Sequence, residues 1–191
     1  MIRSLLTLFL LCGHLAVHAQ AALSARQKNI VANISTTYGA TPEVVSDFVQ
    51  AAMRVEREKG LPAEAVVGMA ILESAGLTSF LFAESKNPFG IKGRKPFAGP
   101  VYVMWHEGED TPFRRYDSTY EAVLGLEAFL QERRWFHDAL KCRGDSECFI
   151  TALMANKARK EPGFSADPEW GNKIRNIIRR FDLAGLRQDK S

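Results

Sequence analysis

Neither a long apolar run nor a marked excess of one charge is found in this chain. The one early apolar run, Leu5 to Cys12, is much shorter than the ~20 residues a helix needs to span a bilayer. Lys and Arg number 25 against 22 Asp and Glu, an excess too small to point to nucleic acid. Cysteine is scarce, with three in all, and no CxxC pair or neighbouring His offers a metal the usual ligand spacing. Repeats, low-complexity segments and linker-joined modules are absent as well, which leaves a single unit.

What is present suffices for one core: 191 residues, 46% of them hydrophobic, make one domain of ordinary size and leave no room for two large ones. The opening "MIRSLLTLFLLCGHLAVHA" has basic Arg3, an apolar centre and small residues at Ala19 and Ala21. That pattern reads as an export signal over residues 1–19 with cleavage near 19–21, leaving residues 20–191 as a single domain with no stable membrane span. A retained anchor fits less well because the run is short. Lipidation at Cys12 is disfavoured because Leu11, not a small residue, precedes it. The exported protein is then periplasmic or extracellular, and its remaining cysteines, Cys142 and Cys148 in "CRGDSEC", read as a local disulfide rather than a metal site.

Helical signals dominate. Ser24 to Ile34, Pro42 to Lys59 and Pro62 to Ala75 read as helices, the second capped by Thr41 with Pro42 in its first turn and the third apolar on most of its surface. Between Asn87 and Tyr116 the pattern changes. "GPVYVMWHE" alternates as a strand, "EGED" offers a turn and "TPFRRY" returns as a second strand. Helices resume from Ser118 to about Glu132, around Glu147 to Lys157, and from Pro168 to Phe181 with Asp167 as cap. The fold class is α+β, mostly helical, with a small β-hairpin lobe.

One carboxylate is out of place. Glu73 shares a helical face with Val66, Met69 and Ala70. A carboxyl on an apolar stripe either turns outward to an Arg or stays desolvated, and desolvation raises its pKa as a general acid requires. Glycoside cleavage pairs such an acid with a second carboxylate. Glu107 is the candidate, since it extends the alternation Val101, Val103, Trp105 beside a ring on which a sugar can stack; Glu109 is the fallback, and with Asp110 also fits a solvated turn.

Four segments in order, "AILES" with Glu73, "NPFGIKG" from Asn87, "FRRYDS" from Phe113 and "GFSADPEWGNKI" from Gly163, resemble the glucosaminidase domain of glycoside hydrolase family 73. That group includes bacterial autolysins and the muramidase half of a flagellar rod-assembly protein, and the likeness runs from about Ala63 to Leu183. The resemblance implies a lysozyme-like fold, a peptidoglycan hydrolase cutting the β-1,4 bond after N-acetylglucosamine, and no cofactor or metal. It places Glu73 as catalytic acid and Glu107 as base or electrostatic partner. Asn87, Phe89, Trp105, Tyr116 and Phe164 become the substrate-binding candidates, with packing as the alternative for Phe89, Ile91 and Tyr116. "NPFGIKG" becomes the loop that leaves the central helix and lines a sugar cleft. Glycan strands are the implied partner, together with a cell-wall, secretion or flagellar assembly component.

Three departures stand out. "ESAGLTS" lacks the family's Trp-Gly pair after Glu-Ser, and no wall-binding module is attached. Phe164 in "GFSADP" replaces a Tyr, so the ring can stack but cannot donate a hydrogen bond; Tyr116 is then an available donor, and Trp170 likewise stands where the family often has Tyr. Two alternatives follow. A lytic transglycosylase or muramidase shares the Glu-Ser helix end but not "NPFGIKG", and a non-catalytic glycan-binding or assembly module is consistent with Phe164.

Overall fold

The computed structural model describes residues 22–155 and 160–187. The export signal expected over residues 1–19 lies outside them. Eight helices and one hairpin make up the described fold: α1 Ala25–Tyr38, α2 Pro42–Lys59, α3 Ala63–Glu73, α4 Phe80–Ser85, β1 Val101–His106, β2 Glu109–Arg114, α5 Thr119–Gln131, α6 His137–Lys141, α7 Ser146–Leu153 and α8 Trp170–Arg180. Short 3-10 turns at Arg134–Phe136 and Leu183–Leu186 complete it. None of the described helices is long and apolar enough to cross a membrane.

Helix ends follow side-chain chemistry. Ser24 and Gln27 form a reciprocal capping box on α1, Thr41 caps α2 and Ser118 caps α5. α1 runs past Ile34 to Tyr38, because its stop is Gly39 in the left-handed region at φ 78°. α3 stops at Glu73, two residues before the sequence suggests. Ala75, Gly76 and Leu77 all take positive φ, and Ser74 closes the turn by donating to the Ala70 carbonyl and accepting from the Leu77 amide. Gly76 is required twice over, since a Cβ there would also run into the Tyr38 ring.

α3 is the axis of the core: every residue from Ala63 to Ile71 is buried. α2, α7, α8 and the last 3-10 turn pack around it. Gly68 lets α8 approach, as a Cβ there would stand 3.1 Å from Ile174 Cγ2. Fully burying a side chain such as Met69 or Ile71 stabilises the fold by about 1.5–3 kcal/mol.

The hairpin pairs Tyr102 with Phe113, Trp105 with Asp110 and His106 with Glu109. Its turn is only Glu107–Gly108, both at positive φ (53° and 87°), as a two-residue type I′ turn requires. Glu107 therefore sits in the turn and does not extend the face of Val101, Val103 and Trp105. The segment after Asn87 adds a short third edge through Arg114 N to Ile91 O and Gly93 N to Pro112 O.

Two further differences lie near the C-terminus. α7 spans Ser146–Leu153, ending where Met154 turns extended; the last two positions of the expected helix, 156 and 157, lie outside the described residues. α8 starts at Trp170 rather than Pro168, because Asp167 first forms a turn, accepting from the Glu169 amide while its carbonyl receives the Trp170 amide. Cys142 and Cys148 are joined, with Cα atoms 5.5 Å apart, and close the loop between α6 and α7. Replacing both with Ser is expected to cost about 2 kcal/mol by the loop-closure relation. Urea unfolding checks this: reductant should lower the midpoint of the native protein and leave that of the double variant unchanged.

Candidate active site

Glu73 ends the buried helix α3 and turns its carboxyl toward α8. There Trp170, only 2% exposed, donates its indole N–H to Glu73 Oε1 at 2.6 Å. The indole is held by Phe164, whose ring stacks on it at 5.4 Å and 27°. Phe164 in turn meets Phe129 edge-on at 5.9 Å and Phe136 at 6.3 Å. Thus a four-ring cluster from α5, the turn after it, the segment before α8 and the start of α8 itself fixes one oxygen of the carboxyl.

The surroundings raise the pKa of Glu73 above the ordinary carboxylate value. Crowding by protein is the main cause, the Trp170 N–H opposes it, and the negative charge of Asp167 adds to it. The side chain still reaches solvent. Glu73 as a whole is an exposed residue, so its carboxyl is open to a substrate while Trp170 occupies one of its oxygens. Asp167 itself is held below its usual range by Lys173, whose Nζ lies 2.6 Å from Oδ2.

Next to Phe164 lies a cleft of 270 Å³ lined by Phe89, Gly90, Ile91, Lys92, Arg94, Phe129, Arg133 and Phe164. Five of these belong to the segment that follows α4, the "NPFGIKG" stretch with Arg94 just beyond it. Asn87 builds that stretch. Buried to 1% exposure, it donates from Nδ2 to the carbonyls of Ile91 and Arg114 and accepts from the Ile91 amide. Its side-chain amide is committed to backbone, so it shapes the cleft from behind. Phe89 and Ile91 are buried, Phe89 against Phe48 at 6.1 Å, and Gly90 supplies the positive φ (62°) of the bend.

The remaining candidates are scattered. Trp105 is 70% exposed on the hairpin face away from Tyr102 and Met104. Tyr116 packs its ring on the backbone of α5, where a Cβ at Gly125 would run into the phenol. Burial drives its pKa up to about 12, with Arg114 opposing, so it is a packed phenol rather than a cleft donor. Glu107 is 73% exposed and faces Lys92 Nζ and His106 Nε2, each at 3.5 Å. Glu109 pairs with Arg94 at 3.0 Å.

Sequence reasoning missed two members. Trp170 supplies the hydrogen bond that Phe164 cannot, and Asp167 is a charge near Glu73 besides forming the turn before α8. The only trace in the sequence was the run "GFSADPEW" itself, which brings three groups to one place. Among the described residues, no group of three or more His, Cys, Asp or Glu is gathered to hold a metal ion. A larger hollow of 970 Å³ borders the disulfide but shares no residue with this cleft. Its Glu147 is held acidic by Arg175, the opposite of what a proton donor needs.

The sequence pattern of the glucosaminidase family, described as mannosyl-glycoprotein endo-beta-N-acetylglucosaminidase, matches residues 49–183. Among solved structures, a peptidoglycan hydrolase from Sphingomonas sp. A1 is similar at 23% identity and a TM-score of 0.57, over 78% of this chain and 97% of that one. The glycoside hydrolase domain of FlgJ from Salmonella typhimurium matches at 22% identity and 0.60, over 75% and 89%. The catalytic domain of the autolysin Auto from Listeria monocytogenes matches at 19% identity and 0.57, over 88% and 92%. At these identities the likeness is one of fold. No curated protein sequence matches the chain.

Proposed function

The chain belongs to the glucosaminidase family, and on that premise we propose that it cuts the β-1,4 bond after N-acetylglucosamine in peptidoglycan, with Glu73 as general acid. The observation that carries the reading is a carboxyl of raised pKa at the end of the buried helix, tethered by one oxygen to Trp170. An oxygen that accepts the indole N–H is a poor place for a proton. The acidic hydrogen therefore sits on Oε2, aimed at the glycosidic oxygen of the leaving sugar. Proton transfer releases that sugar as positive charge grows at the anomeric carbon. Phe164, half-buried at the cleft wall, gives it apolar surface for a pyranose face, while Phe89 packs behind it.

Glu107 takes the part of the second carboxylate, as base for the attacking water or as stabiliser of the cationic transition state. Its position at the tip of a two-stranded lobe lets it approach when glycan fills the cleft. Peptidoglycan as the substrate is supported by the solved relatives described as peptidoglycan hydrolases. Export to the periplasm or beyond fits the N-terminal pattern and the disulfide.

Digestion of purified peptidoglycan, with mass spectrometry of fragments before and after borohydride reduction, tests the reading. Reduced N-acetylglucosamine ends are expected. Anhydro-muramic ends would replace it with transglycosylation, reduced muramic ends with a muramidase, and no fragments from folded protein with a binding role.

The pH profile tests the carboxyl's setting. A general acid works protonated, so activity falls as pH rises through its pKa. Trp170→Phe removes a contact that lowers that pKa, and the alkaline limb of kcat/KM should move to higher pH. Asp167→Asn removes a charge that raises it, and the limb should move to lower pH. Limbs that stay put in both variants would detach Glu73 from the profile.

A further inference from the structure

Among the described residues lining the cleft are three cations, Lys92, Arg94 and Arg133, and no carboxylate. Two of them pair with the exposed hairpin tip, Lys92 with Glu107 and Arg94 with Glu109. Such exposed pairs are weak and exchange readily for another anion. Arg133 is different, because it shares its partner: Glu132 Oε2 lies 3.2 Å from Arg133 Nη1 and 2.5 Å from Arg114 Nη2. Two guanidiniums on one carboxylate leave one positive charge uncompensated. Arg114, 1% exposed, holds the shorter contact, so the excess is expressed at Arg133, on the cleft side. The Arg133 guanidinium lies 3.9 Å over the Phe129 ring, itself part of the lining, and that stacking keeps the planar donor fork in place.

A neutral sugar polymer offers such a wall only hydroxyl and acetamido oxygens, which accept hydrogen bonds but carry no charge to offset the desolvation of the cations. Resting on the glucosaminidase reading, we propose that the Arg133 wall, aided by Arg94 and Lys92, is a subsite for the carboxylates of the peptides borne by muramic acid. The enzyme thereby selects acidic, peptide-bearing glycan over neutral polymers of N-acetylglucosamine. Recognition uses charge-assisted hydrogen bonds from the guanidinium fork to a carboxylate.

The test uses soluble, un-cross-linked peptidoglycan strands, either native or with their free carboxyls converted to methylamides, which leaves every glycosidic bond intact. For the unaltered enzyme, amidation should lower kcat/KM by about tenfold, carried by KM with kcat nearly unchanged, as expected for loss of one charge-assisted contact. Arg133→Gln should lose about tenfold on native strands and little on amidated ones. Equal turnover of both substrates by the unaltered enzyme overturns the proposal, as does an Arg133→Gln loss of the same size on both. Should that variant fail to fold, the substrate comparison decides alone. If the unaltered enzyme cuts neither substrate, the glucosaminidase reading fails and this inference with it.

Discussion

Glu73→Gln is expected to lower kcat by about 10³-fold, the middle of the range one positioned proton donor contributes, while leaving the protein folded. Gln keeps an oxygen to accept the Trp170 N–H, so the packing of Trp170 on Phe164 survives and only the proton is lost. The same substitution should stabilise the fold at neutral pH. The pKa of Glu73 is raised by folding, so the native state binds its proton more tightly than the unfolded chain does. Stability from this group is therefore greatest below the unfolded carboxylate value and declines as pH rises through the raised one. Gln has no charge to desolvate, hence a higher Tm than the native protein near pH 7 and no such advantage near pH 3. Calorimetry at the two pH values, beside turnover of peptidoglycan, measures both effects. Full activity in folded Glu73→Gln would sink the mechanism. Glu107→Gln should cost less, since in the proposed mechanism that exposed residue serves the water side of the reaction.

Arg114→Ala has the largest expected effect on stability, about 3–5 kcal/mol, the usual cost of breaking a buried ion pair by removing one partner. At roughly 2–4 °C per kcal/mol for a chain of this size, Tm should fall by about 10 °C. Arg114 ends β2, bridges to Glu132 just after α5, and places its guanidinium 4.3 Å from the Phe97 ring centre. Its backbone receives Asn87 and donates to Ile91. One residue thus joins the hairpin, the cleft loop and α5. Its Nε has no acceptor among the described residues, so part of the desolvation cost is already present in the native fold. Arg114→Met keeps the stem's packing and leaves Glu132 to Arg133, and should lose less than Arg114→Ala. Urea midpoints of the two variants rank them; equal losses would show that the lost charge, not the stem's packing, is the cause.

Local rules carry the sequence a long way. Caps and left-handed glycines mark α1, α2 and α5, and the apolar surface of α3 announces a central helix ending at a carboxylate. The short elements α4 and α6 escape such rules, since neither is long enough to show a period. Counting along a strand puts Glu107 on its face, but a strand's end is decided by backbone conformation at the turn, and Gly108 moves it one residue earlier. Asn87 reads as available to substrate because a letter does not show that both ends of an amide are occupied. Trp170 reads as packing, for nothing local shows that an indole will meet a carboxyl 97 residues away. Arg133 is invisible for a related reason: its surplus charge arises only because a buried Arg from another element claims the same Glu.

That separation of 97 residues has a temporal side. Chains emerge from the ribosome N-terminus first, so the carboxyl is synthesised well before the indole that orients it and the phenylalanine that steadies the indole. A chain cut short before α8 holds the acid without its setting. On the proposed mechanism, glycan cleavage waits for α8, which ties a potentially self-damaging chemistry to the synthesis and folding of that later helix.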